Sequence, residues 1–272
     1  MARRDQRFLP LDGGPFRHTV GLRRIDPVDW LEVDEDTPPQ LAERARIIDE
    51  HHDDVVVRLG SAEALVAVTE LRDQVRRHLA LTTTPAVDPL LEVGLAIADD
   101  VCLLDADTHV VMAGVVCFAN RWRLTDKLGL PLIGVHAPVP GYADDLAAKV
   151  ERVLHRLGPQ VVLERRNWGV LDDPTLHQPK AGAPVEGITV GDAGDRLWAR
   201  VERQTLRRLP STGAVVFTIR TRQVPLRRLG DEDRVNLAAA MATVPPDTAE
   251  YKGLTVLAPL VLEWAASERL RS

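Results

Sequence analysis

Residues 100–118 read Asp100-Val101-Cys102-Leu103-Leu104-Asp105-Ala106-Asp107-Thr108-His109-Val110-Val111-Met112-Ala113-Gly114-Val115-Val116-Cys117-Phe118. Two short apolar runs rich in strand-forming residues flank Asp105-Ala106-Asp107-Thr108. That segment is turn chemistry, because Asp side chains bond their own backbone two residues on. The spacing predicts a β-hairpin. Further strands are expected at Val161–Val170, Leu197–Glu202 and Ala214–Thr221. A polar loop with Pro174, Pro179, Gly182, Pro184, Gly187 and Gly191 separates the first two of these. Towards the N-terminus the apolar period becomes helical. Thr37-Pro38-Pro39 opens one helix, with Thr37 a candidate N-cap and proline in the first turn. Ser61 caps a second helix with the stripe Leu65, Val68, Leu71, Val75 and Leu79, and Pro89 to Ala98 reads as a third. Ala143 to Leu157 is amphipathic, and Asp231–Ala242 and Leu254–Arg269 read as closing helices. The expected fold class is therefore α+β: a single domain, residues 37–272, with an antiparallel sheet and helices gathered before and after it. An irregular N-terminal arm, residues 1–36, precedes it, anchored by Phe8, Leu9, Phe16, Leu22 and Trp30.

Composition narrows the function classes. The chain has 272 residues, 45% of them hydrophobic and 27% charged, with a formal net charge of -6. That balance suits a soluble globular protein with a sizeable core. No stretch approaches the ~18–20 apolar residues of a membrane span, so no membrane partner is expected. The basic start, Met1-Ala2-Arg3-Arg4, has no apolar segment behind it and does not read as a secretory signal. Two cysteines, Cys102 and Cys117, fit reduced thiols in a cytoplasmic setting better than a disulfide framework. The absence of CxxC leaves cysteine zinc sites and covalent haem attachment without a motif. Acidic residues are interspersed among the 34 basic ones, so the sequence has no nucleic-acid footprint. HExxH, GxSxG, Walker and GxGxxG patterns are also missing.

Three segments can carry chemistry. Trp122-Arg123-Leu124-Thr125-Asp126-Lys127-Leu128-Gly129 leads into Val135-His136-Ala137-Pro138-Val139-Pro140-Gly141-Tyr142. The two prolines fix φ and remove backbone donors, so His136 sits in a stiff loop. A pre-aimed imidazole suits an axial metal ligand. A core histidine satisfied by a backbone carbonyl explains the same residues. The second segment is Glu164-Arg165-Arg166-Asn167-Trp168. On a strand, Arg165 and Asn167 share one face, and Arg166 and Trp168 the other. The third, Trp198–Pro210, carries Glu202, Arg203, Arg207 and Arg208 where a strand is expected to give way to a helical turn. It is either a solvated corner or a place where arginines hold an anion and keep Glu202 ionised.

In this order, the segments resemble the haem-dependent oxidative N-demethylases, the dimethylamine monooxygenase catalytic-subunit family. The resemblance begins at Gly21-Leu22-Arg23-Arg24 and Asp29-Trp30-Leu31-Glu32 and continues through Asp99–Leu104. It is carried mainly by Trp122-Arg123, Lys127-Leu128-Gly129, His136-Ala137-Pro138-Val139-Pro140, Arg166-Asn167-Trp168 and Val201–Pro210. It implies a PAS-like antiparallel sheet with added N- and C-terminal helices, and a non-covalent haem b. It also implies a small methylated amine such as dimethylamine, oxidised with O2 and losing its methyl group as formaldehyde. Electrons would come from a separate flavin and iron–sulfur reductase, since two cysteines cannot hold such a cluster. Under this resemblance His136 becomes the axial ligand. Arg123, Lys127, Arg166, Arg203 and Arg207 become candidates for the haem propionates, and Trp122 and Trp168 for the porphyrin walls. Glu202 becomes the candidate for attracting an ammonium group or relaying protons, with Tyr142 a further candidate. The alternative is a haem- or ligand-binding PAS-like sensor, or a structural domain, without turnover. A charged pair facing the iron favours proton-coupled chemistry, and an apolar pocket favours gas sensing.

Overall fold

A computed structural model describes residues 7–17, 19–180, 182 and 186–270. Among them, seven strands form one sheet: β1 (Arg23–Ile25), β2 (Val56–Arg58), β3 (Asp100–Leu104), β4 (Val111–Val115), β5 (Val162–Leu171), β6 (Trp198–Arg208) and β7 (Val215–Pro225). The order is β1-β5-β6-β7-β3-β4-β2, and every pairing is antiparallel. The hairpin forms as expected, with Val101 opposite Val115. Asp105 Oδ1 accepts from the Thr108 backbone N–H at 2.8 Å and its hydroxyl at 2.7 Å, which closes the turn.

The main departure lies in β6. Residues 202–208 remain strand rather than becoming a helical turn. Alternation explains this, because each charged side chain finds a cross-strand environment. Arg203 and Thr205 project to one face, and Glu202 and Gln204 to the other. β1 and β2 escaped the sequence pattern because three-residue edge strands are too short to show a period.

The helices are α1 (Thr37–Val55), α2 (Ala62–His78), α3 (Pro89–Ala96), α4 (Leu132–Val135), α5 (Ala147–Arg156), α6 (Ala193–Arg196), α7 (Asp231–Met241), α8 (Pro246–Tyr251) and α9 (Leu257–Arg269). Ser61 caps α2, accepting from the Ala64 N–H at 3.2 Å. Thr37 is the first helical residue instead of the cap, and its hydroxyl accepts from the Asp34 N–H at 2.9 Å. The expected helix from Ala143 begins with one wide π-type turn, Tyr142–Leu146, before α5. Leu9 N–H donates to Asp233 at 3.1 Å and Asn236 donates to Leu11 O at 3.0 Å, tying the arm to α7. Residues 1–6 of the expected arm, His18 and Pro184 lie outside the described residues.

Strand alternation gives the sheet two faces. Val101, Leu103, Val115 and Val216 pack with Trp30, Ile47, Val68, Leu71 and Leu90 against α1–α3, the helix face. Cys102, Leu104, Val111 and Val215 pack with Leu124, Leu132, Leu154 and Leu157 on the other. A third cluster joins Val170, Ala199 and Val201 to Leu237, Val261 and Trp264 of α7 and α9. Gly114 sets how closely the Trp122–Gly129 segment approaches the sheet. A Cβ there would lie 2.5 Å from Val101 O and 2.9 Å from the Leu124 side chain. Both cysteines are buried and unbonded, and burial pushes each thiol up to about 12. No described helix is long and apolar enough to cross a membrane.

Candidate functional site

The loop around His136 is braced from both sides. Lys127 Nζ donates to Val135 O at 2.8 Å. His136 closes α4, its N–H 3.0 Å and its Nδ1 2.9 Å from Leu132 O. A carbonyl only accepts, so Nδ1 carries the proton, and a neutral ring keeps its lone pair on Nε2. Burial holds the imidazole below its usual range, and the nearby Arg165 and Lys127 charges add to this against the pull of the Leu132 hydrogen bond. At neutral pH the His136 ring is therefore neutral, with a lone pair on Nε2. The Tyr142 ring stacks on it at 4.2 Å and 10°. The Tyr142 hydroxyl is buried without a hydrogen-bond partner. Burial, with Glu151 adding, pushes that phenol up to about 12.

His136 and Tyr142 line one part of a connected cavity system of about 2010 Å³ that also runs along the N-terminal arm; the wall facing them includes the sheet face opposite α1–α3. The strand registers place Leu163, Arg165 and Asn167 of β5 beside Leu206, Gln204 and Glu202 of β6. They bring Phe217, Ile219 and Thr221 of β7 onto the same face. The floor is thus apolar at one end and charged at the other.

Glu202 anchors the charged end. It accepts from Arg200 Nε at 3.0 Å, Gln204 Nε2 at 3.0 Å and Asn167 Nδ2 at 3.4 Å. Burial alone would raise its pKa, but Arg200, Asn167 and Lys252 together hold it below the usual carboxylate range. Lys252 donates to Trp168 O at 2.8 Å and Asn167 Oδ1 at 3.3 Å. Burial pushes the ammonium down to about 8, against the attraction of Glu202. The Arg165 guanidinium is also depressed by burial, and its Nε has no hydrogen-bond partner. One carboxylate here faces three cations: Arg165, Arg200 and Lys252.

The other expected contacts are distributed differently. Trp122 lines the cleft. Arg123 is half-buried and pairs with Asp126 at 3.0 Å. Lys127 holds the His136 loop by its backbone. Arg166, Trp168, Arg203 and Arg207 project to the other face of β5 and β6. Arg203 binds Glu164 at 2.5 Å and Trp30 O at 3.0 Å. Arg207 lies 4.7 Å over the Trp30 ring, and Lys252 lies 5.4 Å over Trp168. Arg166, Trp168 and Arg203 line a stretch of the cleft that runs along the arm, away from the Glu202 face. The partner of Glu202 is Arg200, three residues before Arg203 on the same strand and on the opposite face from it. Arg165 was legible through its shared face with Asn167. Lys252 had no local signal, because α8 delivers it from 50 residues beyond Glu202. His109 is fully buried against Glu151.

A model of the family haem-dependent oxidative N-demethylase, alpha subunit-like, matches residues 76–262, over two thirds of the chain. The chain belongs to this family. Its residues suit the family's cofactor. A neutral half-buried imidazole, an apolar floor of Leu206, Phe217 and Ile219, and an unpaired guanidinium nitrogen match a planar macrocycle with two carboxylates. Two negative charges would balance the surplus of cations around Glu202.

Proposed function

We propose that this chain is the catalytic subunit of a haem b monooxygenase that removes a methyl group from a small methylated amine, of which dimethylamine is the type, as formaldehyde. The observation that carries this reading is the neutral His136 imidazole, its Nδ1 held by Leu132 O, in a large cleft with an excess of buried positive charge. His136 Nε2 would ligate the iron. Arg165 and Lys252 would hold the propionates by charge-assisted hydrogen bonds, and Trp122 would wall the ring. Bound haem supplies the redox centre at which O2 is reduced. The whole reaction consumes one O2, two electrons and two protons per methyl group, and releases demethylated amine, formaldehyde and water.

The chain's own residues prepare this chemistry in three ways. Leu132 O and the Tyr142 ring fix the orientation of His136, which limits the entropy lost on ligation. Lys127 holds the loop that carries it. Glu202 stays ionised through Arg200 and can hold an ammonium group or pass a proton. That buried ion pair supports an enzyme over a gas sensor. Two buried thiols and the alpha-subunit-like family support a cytoplasmic chain that takes electrons from a separate flavin and iron–sulfur reductase. The seven-stranded antiparallel sheet under packed helices supports the PAS-like reading.

A haemin titration followed by visible absorption tests the proposal. The wild type should take up about one haem per chain, with a Soret band that shifts on reduction and on CO addition. His136→Ala should lose at least tenfold in affinity or change the ligation spectrum. A folded wild type that takes up no haem would sink the reading. Glu202→Gln should keep haem and slow demethylation, measured as formaldehyde release with a surrogate electron donor.

A further inference from the structure

His109 closes the β3–β4 turn with φ of 52°, a left-handed conformation uncommon outside glycine. Its imidazole is completely buried against α5, with Nδ1 2.6 Å from Oε2 of Glu151. Its Nε2 has no hydrogen-bond partner. Glu151 and His155 lie one helical turn apart and share a face of α5. His155 Nε2 is 3.9 Å from the same Glu151 oxygen, and the two imidazole rings are 4.8 Å apart. One ligand atom from each of the three residues falls within 4.8 Å of the others.

We propose that His109, Glu151 and His155 form a site for a divalent transition-metal ion, separate from His136. Two imidazoles and one carboxylate suit zinc, cobalt, nickel or copper. Magnesium and calcium prefer all-oxygen shells. Metal–nitrogen and metal–oxygen bonds of about 2.0–2.2 Å set neighbouring ligand atoms about 3.0–3.4 Å apart. Small side-chain rotations reach that spacing from the distances seen here. Glu151 and His155 are free to make them, with side chains 39% and 59% exposed. His109 cannot move and acts as the anchor. Without metal, the His109–Glu151 contact keeps the two groups aligned. The exposed side leaves room for water to complete the coordination shell. The ion would clamp α5 to the hairpin, and α5 also carries Val150 and Leu154 on the cleft wall. Metal binding would therefore stiffen the wall of the main site without touching its ligand.

The test is calorimetric titration of Zn2+ into the chelator-treated full chain, alongside the melting temperature. One Zn2+ should bind per chain and raise the melting temperature. His155→Ala and Glu151→Gln should each weaken binding at least tenfold, with circular dichroism unchanged, since His155 is exposed and Glu151 only half-buried. His51→Ala, in the separate stacked pair His51–His177, should bind as the wild type does. No Zn2+ uptake, uptake that survives both α5 substitutions, or uptake lost in His51→Ala would overturn the proposal. None of these outcomes depends on haem, so the site stands or falls apart from the proposed function.

Discussion

The β5–β6–β7 ladder carries charge on both faces and treats it differently on each. On the helix face, most arginines meet carboxylates, while Arg207 lies over the Trp30 ring and bonds Gln74. Arg203 holds Glu164 at 2.5 Å, Arg220 holds Asp34 at 2.7 Å, and Arg222 holds Glu32 at 2.9 Å. Close by, Arg44 holds Asp100 at 2.6 Å, and both are fully buried. On the cleft face, Glu202 takes Arg200, while Arg165 and Lys252 have no carboxylate at ion-pair distance among the described residues. Burying an unpaired charge is costly, so a protein keeps one where a ligand will complete it. The closed pairs hold the fold together, and under the proposed function the open cations of the cleft face would meet the ligand.

The widest gap between the faces should appear on removing one arginine from each. Arg203→Ala leaves Glu164 to Arg23 at the sheet edge, removes its buried partner, and frees two backbone carbonyls, Asp29 O and Trp30 O. Breaking a buried pair in this way costs about 3–5 kcal/mol. Urea denaturation should register that loss, and one below 1 kcal/mol would erase the distinction between the faces. Arg165→Leu should do the reverse. It removes a depressed, partnerless cation, so stability should hold or rise. Haemin affinity should fall roughly 10- to 100-fold, the worth of one charge-assisted hydrogen bond of about 1.5–3 kcal/mol. A stability loss with unchanged haemin affinity would make Arg165 structural.

Much of this contrast was written in the sequence, but not all. The hairpin, the capped helix at Ser61 and the Pro-framed His136 were legible because their determinants are local: Asp105 in the turn, a serine at the cap, two prolines beside the ring. Alternation along Glu164–Trp168 already separated Arg165 from Arg166. Which face looked at His136 was not legible, since that depends on the β5–β6 register and on how α4 and α5 pack over the sheet. The six charges and amides of β6 hid the strand by imitating a solvated corner. The partners of Arg203, Glu32 and Glu164, lie far away in the chain, as does Asp34 from Arg220 of β7, and Lys252 and Arg44 are equally remote. Long-range pairing, not propensity, decided those positions.

A smaller effect distinguishes the helix face in acid. Burial would raise Asp34, but the Arg222 hydrogen bond and the Arg220 and Arg222 charges hold it down at about 2. An unfolded Asp titrates near 3.8. The folded state is therefore the stronger acid, and its advantage is complete above pH 4. It is lost as the pH falls towards 2, up to roughly 2 kcal/mol. Asp34→Asn should lower stability at neutral pH and flatten the slope between pH 4 and 2. An unchanged slope would assign acid sensitivity to other carboxylates.

The cleft face should show the opposite pH behaviour in alkali, through Lys252. Its ammonium is pushed down to about 8, while an unfolded lysine titrates near 10.5. In the empty protein the unfolded chain thus binds the extra proton between those values. Stability should rise with pH across that window and be at a disadvantage below it. An anion in the cleft needs the charged form, so ligand affinity should fall over the same rise in pH. The fall should be only a few-fold, because Arg165 and Arg200 stay charged. Haemin titrations at pH 7 and pH 9 would measure it, with Lys252→Met expected to remove the difference. If the variant keeps the full pH dependence, Lys252 serves the Trp168 carbonyl and the α8 packing instead, and Arg165 alone carries the open charge of this face.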